Sequence, residues 1–178
     1  MKSTGIVRRL DELGRIVIPK EIRSNLKIRD GENMEIFVDL DTIILKKYSK
    51  IEDSIDFTKK TCKVLNTVIG KDIIITDRDH IIAAEGNAVE SGLNQLISAE
   101  LTAVIDNRET FISQKETTVE ITKELKLVGF FTIVPIITSA DSVGLVIIYD
   151  KENNINENKG ITRFIANLIS AQIDVTWG

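Results

Sequence analysis

Residues 4–23 read Thr4-Gly5-Ile6-Val7-Arg8-Arg9-Leu10-Asp11-Glu12-Leu13-Gly14-Arg15-Ile16-Val17-Ile18-Pro19-Lys20-Glu21-Ile22-Arg23. Thr4 to Leu10 alternates loosely, contains the Arg8-Arg9 pair and predicts a short strand. Asp11 to Gly14 predicts a turn in which the glycine supplies a positive φ. Arg15 to Ile18 is β-branched and predicts a second strand. Pro19 stops it and suits the first position of a helix, where its missing N–H costs nothing. Glu21, Ile22 and Leu26 predict a short helix, closed by the Arg29-Asp30-Gly31 turn. Met34, Ile36 and Val38 then alternate with Glu35, Phe37 and Asp39, the period of a half-buried strand. A tight turn at Asp41 leads into Thr42–Lys47, the last strand of the unit.

Four short strands in fifty residues cannot bury much surface alone. A unit this small needs a disulfide, a metal or a partner chain. The chain has one cysteine, Cys62, and one histidine, His80. That leaves no internal disulfide and no thiolate zinc site. The expectation is an obligate homodimer through residues 1–50 whose core is shared between chains.

Net charge is −4, but it is unevenly divided. Residues 1–50 carry 11 Lys and Arg against 8 Asp and Glu, and the remainder 12 against 19. Such asymmetry points to two domains with different partners. No apolar run reaches membrane-spanning length. The N-terminus has neither the apolar run nor the cleavage site of an export signal. A cytoplasmic protein is expected.

From Ile51 the periodicity becomes helical. Ile51, Ile55, Thr58, Cys62, Leu65 and Ile69 form a heptad-like stripe that Phe57, Val64 and Val68 widen, with Gly70 as the C-cap. Strands are predicted at 72–77, 81–84, 117–122, 130–137 and 143–149, with a turn over Thr138–Ser142. Helices are predicted over 93–106 and near the end, where Ile161, Phe164, Ile165, Leu168, Ile169 and Ile173 are spaced for one face. The order is that of an α+β domain over 51–178, an antiparallel sheet with flanking helices buried on both faces.

The string 4–23, with Gly31, Glu35-Ile36-Phe37-Val38 and Ile43-Ile44-Leu45-Lys46-Lys47-Tyr48, closely resembles the AbrB-type swapped-hairpin transcription factors. The resemblance implies a dimeric, β-rich barrel built from two interleaved chains, and a role in binding double-stranded promoter DNA. It places the DNA-facing residues at Arg8, Arg9, Arg15 and Arg23, with Lys20 nearby. Arginine forks match phosphate and guanine edges, which agrees with that assignment. The plain alternative is a solvated charged face, usual for surface Arg and Lys. Ser24 departs from the pattern, since close relatives often carry a second arginine there.

Val134-Pro135-Ile136, a turn, and Val143-Gly144-Leu145-Val146-Ile147 resemble a GAF domain. The two domains in this order resemble a family of sporulation regulators. That implies a regulator able to activate some promoters and repress others, and a homotetramer through helices 51–69 and 157–174. It also implies a second domain that either binds an unidentified small-molecule effector or only builds the tetramer. No phosphate-cradling loop marks a ligand, and neither cofactor, metal nor catalytic residue is expected. Cys62 on an apolar stripe reads as an inert buried thiol, and His80 as a solvated turn residue. Trp177 either packs on a neighbouring chain or frays. Two competing readings are an antitoxin with a swapped-hairpin barrel and a disordered acidic tail, and a GAF-fold reductase, for which one cysteine is too few.

Overall fold

A computed structural model describes residues 4–139, 141–152 and 155–176. Trp177 lies outside them, as does Ala140 in the predicted turn. The chain divides into two compact units, one ending at Tyr48 and the other starting at Ser49. Among the described residues no helix is long and apolar enough to cross a membrane.

In the first unit, α1 (Lys20–Asn25) is capped by Pro19, and β1 (Met34–Asp39) pairs antiparallel with β2 (Thr42–Lys47). The register runs from Met34 opposite Lys47 to Asp39 opposite Thr42. Ile36 faces Leu45 and Val38 faces Ile43, so one face of the ribbon is apolar, while the other sets the Phe37–Ile44 pair between Glu35–Lys46 and Asp39–Thr42. None of residues 4–48 is buried. The strands predicted at 4–10 and 15–18 do not form within the chain. A strand is defined by its neighbour, and these limbs are joined at the turn by the Asp11 N–H donating to the Arg15 carbonyl at 3.1 Å.

The second unit is a six-stranded antiparallel sheet. Its strands are β3 (Asp72–Thr76), β4 (Ile81–Glu85), β5 (Phe111–Ile112), β6 (Thr117–Glu120), β7 (Lys126–Thr138) and β8 (Asp141–Asp150). They lie in the order β4-β3-β8-β7-β5, with β6 also paired to β7. Alternation along the strands feeds two cores. Ile73, Ile75, Val134, Ile136, Val146 and Ile148 pack with Cys62 of α2 (Ile55–Ile69) and with Ile165, Ile169 and Ile173 of α4 (Ile155–Thr176). Ile74, Phe131, Ile133, Leu145 and Ile147 face the other way, against Leu101 and Ile105 of α3 (Ala99–Asn107). A sheet buried on both faces explains why its strands read as continuous apolar runs. The result is the expected α+β layout, an antiparallel sheet with flanking helices. Gly144 is required at the centre, since a Cβ there would lie 1.9 Å from the Thr76 carbonyl oxygen.

Two further expectations are corrected. The helix predicted over 93–106 begins only at Ala99. Residues 94–97 are instead tied to the β4 edge, with Asn94 N–H on the Ile81 carbonyl and Ile81 N–H on the Gln95 carbonyl. Ser98 then caps α3, its Oγ accepting the Leu101 N–H at 3.1 Å. Second, β7 starts at Lys126, four residues earlier than expected, because β6 gives its first residues a partner. Most residues of the two helical stripes serve the unit's own core. Ile51, Cys62, Ile165, Ile169 and Ile173 are buried, with Leu65 and Ile69 packed beside them. The apolar groups these helices leave outside are Val64 and Val68 of α2, and Phe164, Leu168 and Val175 of α4.

Candidate nucleic-acid interface

Arg8, Arg9, Arg15, Lys20 and Arg23 sit around a turn and on the short helix that follows, while Lys46 and Lys47 end β2. The turn is organised by Asp11. Its Oδ1 accepts the N–H of Leu13 at 3.0 Å and of Arg15 at 2.8 Å, while its carbonyl accepts the Gly14 N–H at 3.0 Å. Gly14 completes the reversal at φ +73°, a region that disfavours side chains with a Cβ. Arg8 and Arg9 lie on one limb and Arg15 on the other, all exposed. Lys20 and Arg23 are three apart on α1, and so share a face.

Two of the arginines are held by carboxylates. Arg15 Nε donates to Asp11 Oδ2 at 2.7 Å, and Arg23 Nη1 to Asp30 Oδ1 at 2.7 Å. The Arg15 backbone N–H, then its side chain, hold the Asp11 carboxyl below its usual range, with the Leu13 N–H adding to them. Arg8 Nη1 donates to the carbonyl of Val7 at 3.0 Å. Ser24 is exposed on α1 beside Arg23. Reading the sequence for cations alone missed Asp11 and Asp30. The visible signal was an Asp four residues before an Arg, with a turn glycine between them.

In the second unit several polar groups that reach the interior hold the fold. Thr76 Oγ1 accepts the Leu145 N–H at 3.1 Å, Ser113 Oγ accepts the Phe131 N–H at 2.7 Å, and Lys71 pairs with Asp150 at 2.8 Å. Burial pushes the Cys62 thiol up to about 12, with the Glu85 charge adding to it, so it is a poor nucleophile. His80 is exposed, and its backbone N–H is held by Asp77 Oδ1. Among the described residues no group of His, Cys, Asp and Glu is arranged to hold a metal ion.

Residues 54–174 match the family described as stage V sporulation protein T C-terminal, transcription factor. Residues 7–53 match the family described as antidote-toxin recognition MazE, bacterial antitoxin. The chain is 41% identical over 159 residues to stage V sporulation protein T of Bacillus subtilis (strain 168), covering 88% of this chain and 89% of that protein. It is 42% identical over 86 residues to the transition state regulatory protein AbrB of the same organism, covering 48% of this chain and 81% of the relative. Among solved structures, a type II free methionine-R-sulfoxide reductase from Thermoplasma acidophilum is similar with a TM-score of 0.55 at 12% identity, over 70% of this chain and 95% of that one. That likeness is one of fold alone.

Proposed function

The chain belongs to the stage V sporulation protein T family of transcription factors, and from that premise we propose that it binds promoter DNA of sporulation genes through Arg8, Arg9, Arg15, Lys20 and Arg23. The observation that carries this reading is the display of Arg8, Arg9 and Arg15 on the two limbs of one ordered turn, with two more cations on the adjoining helix. Arginine forks pair with guanine O6 and N7 or with phosphate oxygens, while Lys20 acts as a point charge. Activation at some promoters and repression at others then depends on where the bound protein lies.

A homodimer through residues 1–50 completes the site. The hairpin exposes Ile36, Val38, Ile43 and Leu45 on one face, and each such side chain contributes about 1.5–3 kcal/mol when removed from water. Pairing with a second copy would give residues 4–18 and the apolar ribbon face their missing neighbours, and would double the arginines by symmetry. We assign tetramer formation to α2 and α4, through Val64, Val68, Phe164 and Leu168. Phe164→Glu should then reduce the particle to a dimer in size-exclusion chromatography with light scattering, and an unchanged tetramer would refute that assignment. The second unit acts as an assembly and sensory domain rather than an enzyme, and the chain works at the nucleoid.

The match over 7–53 favours an antitoxin as the second reading. Against it stands the second unit, whose 49–176 segment folds around two cores where an antitoxin would carry an unfolded acidic tail.

A salt titration tests the leading reading. If roughly six arginines per bound particle neutralise phosphates, affinity for a promoter duplex should fall about 10³-fold between 50 and 200 mM salt. Residues 51–178 alone should not bind. Absence of binding by the full-length chain at low salt would overturn the reading.

A further inference from the structure

An aspartate on a DNA-facing turn is an electrostatic oddity, because it repels the phosphates its neighbours attract. Its turn-forming work does not require a charge. Oδ1 takes the N–H groups of Leu13 and Arg15, and an asparagine carbonyl would do the same. Only a carboxylate supplies a second acceptor, and that oxygen, Oδ2, takes Arg15 Nε at 2.7 Å. Among the described residues the Nη1 and Nη2 groups of Arg15 carry no partner, and the side chain is 71% exposed. Arg23 is held differently. Asp30 takes its Nη1, which occupies half of the terminal fork.

We propose that Asp11 is a positioning residue for DNA recognition, gripping Arg15 by Nε so that both terminal nitrogens point outward for bidentate pairing with a guanine edge, while Arg23, already engaged through Nη1, serves a phosphate. The inference rests on the reading that Arg15 contacts DNA. An arginine loses much rotamer freedom on docking, and a side chain fixed before the duplex arrives loses less. Guanine O6 and N7 demand two parallel N–H donors, which the free Nη pair of Arg15 offers end-on from a side chain 71% exposed, whereas Arg23 is 37% exposed and is left only its Nε–Nη2 edge. The two arginines thus divide the work between reading sequence and fixing register.

The test is a double-mutant cycle on the full-length protein with Asp11→Asn and Arg15→Ala. Binding is measured to a duplex that the unmodified chain selects from a random pool, and to a scrambled duplex of the same composition. Asp11→Asn keeps the turn acceptor and removes an anion, so charge alone predicts tighter binding to both duplexes. Positioning predicts the opposite sign for the selected duplex, about fivefold weaker, with the scrambled duplex bound equally or more tightly. In the Arg15→Ala background the same substitution should cause no further loss. Equal or tighter binding of the selected duplex by Asp11→Asn overturns the proposal, as does an equal loss with and without Arg15. If Arg15→Ala itself binds as the unmodified chain does, the assignment of Arg15 to DNA fails first, which separates the two failures. Should Asp11→Asn disturb the oligomer, Arg15→Lys gives the second measurement. It keeps the charge without Nε or the fork, and should lose the preference between duplexes while still binding both. A retained preference overturns the proposal.

Discussion

Strands β1 and β8 are written in nearly the same alphabet, Met-Glu-Ile-Phe-Val-Asp against Asp-Ser-Val-Gly-Leu-Val-Ile-Ile-Tyr-Asp. Their fates differ. In β8 every residue after Asp141 is buried, whereas in β1 Ile36 is 66% exposed and Val38 75%. The difference lies in what surrounds them. β8 has β3 on one side, β7 on the other and helices on both faces of its sheet, while β1 pairs with β2 alone among the described strands. A β-branched run therefore announces burial without saying whose atoms provide it. In one unit they come from the same chain; in the other the proposed dimer supplies them.

The contrast can be broken at the first unit with Ile36→Asp. If a second copy covers the hairpin, the carboxylate is buried twice per dimer without a cation, a penalty of several kcal/mol per copy. The dimer should dissociate and DNA binding fall by about 10² or more, while the unfolding transition of the second unit stays in place. Equilibrium ultracentrifugation together with calorimetry reads both, and a dimer of unchanged affinity would show that this face is not shared. Gly144→Ala is the converse. Its Cβ would meet the Thr76 carbonyl oxygen at 1.9 Å, and backbone cannot swing aside as a long side chain does. The second unit should lose about 3 kcal/mol by denaturant titration, with duplex preference in the folded fraction unaffected.

Asp77→Asn has the smallest expected effect and concerns the second unit alone. Burial pushes the Asp77 carboxyl above its usual range, against the Asp79 and His80 N–H groups that favour its charge. Because the folded value is raised, the ionised group detracts from stability at neutral pH, and stability recovers as pH falls through that value. Asparagine offers the same acceptor without the charge. It should raise the melting temperature slightly at pH 7, and the advantage should vanish once Asp77 itself is protonated. A lower melting temperature at pH 7 would mean that the charge on those two N–H donors outweighs its desolvation.

The same physics explains what the sequence displayed and what it concealed. Runs 73–75, 130–137 and 143–149 were legible as strands because burial on both faces forces continuous apolarity. The segment 93–98 was not, since Leu93, Leu96 and Ile97 have helical spacing and yet the backbone there is committed to the β4 edge. Ser98 was the available signal, a capping residue in the middle of the predicted helix. Positions 64 and 68 looked like part of the core stripe but lie outside it, because periodicity assigns a face and not its width. At the candidate interface the cations were readable from the motif. Of the carboxylates that hold Arg15 and Arg23, Asp11 left a signal in its four-residue spacing, while Asp30, seven residues from Arg23, left none because that pair is a matter of side-chain geometry.

Cys62, the only thiol in the chain, is sealed in the core beneath α2. It can meet a reagent only when that core comes apart, so a molecule carrying no added label already contains a clock for its own breathing. The rate at which an alkylating agent consumes the thiol counts openings of the helix-covered face and is blind to fraying of the hairpin. Binding of DNA or of any small molecule that tightens the second unit would be heard as that clock slowing, without a probe placed on either partner.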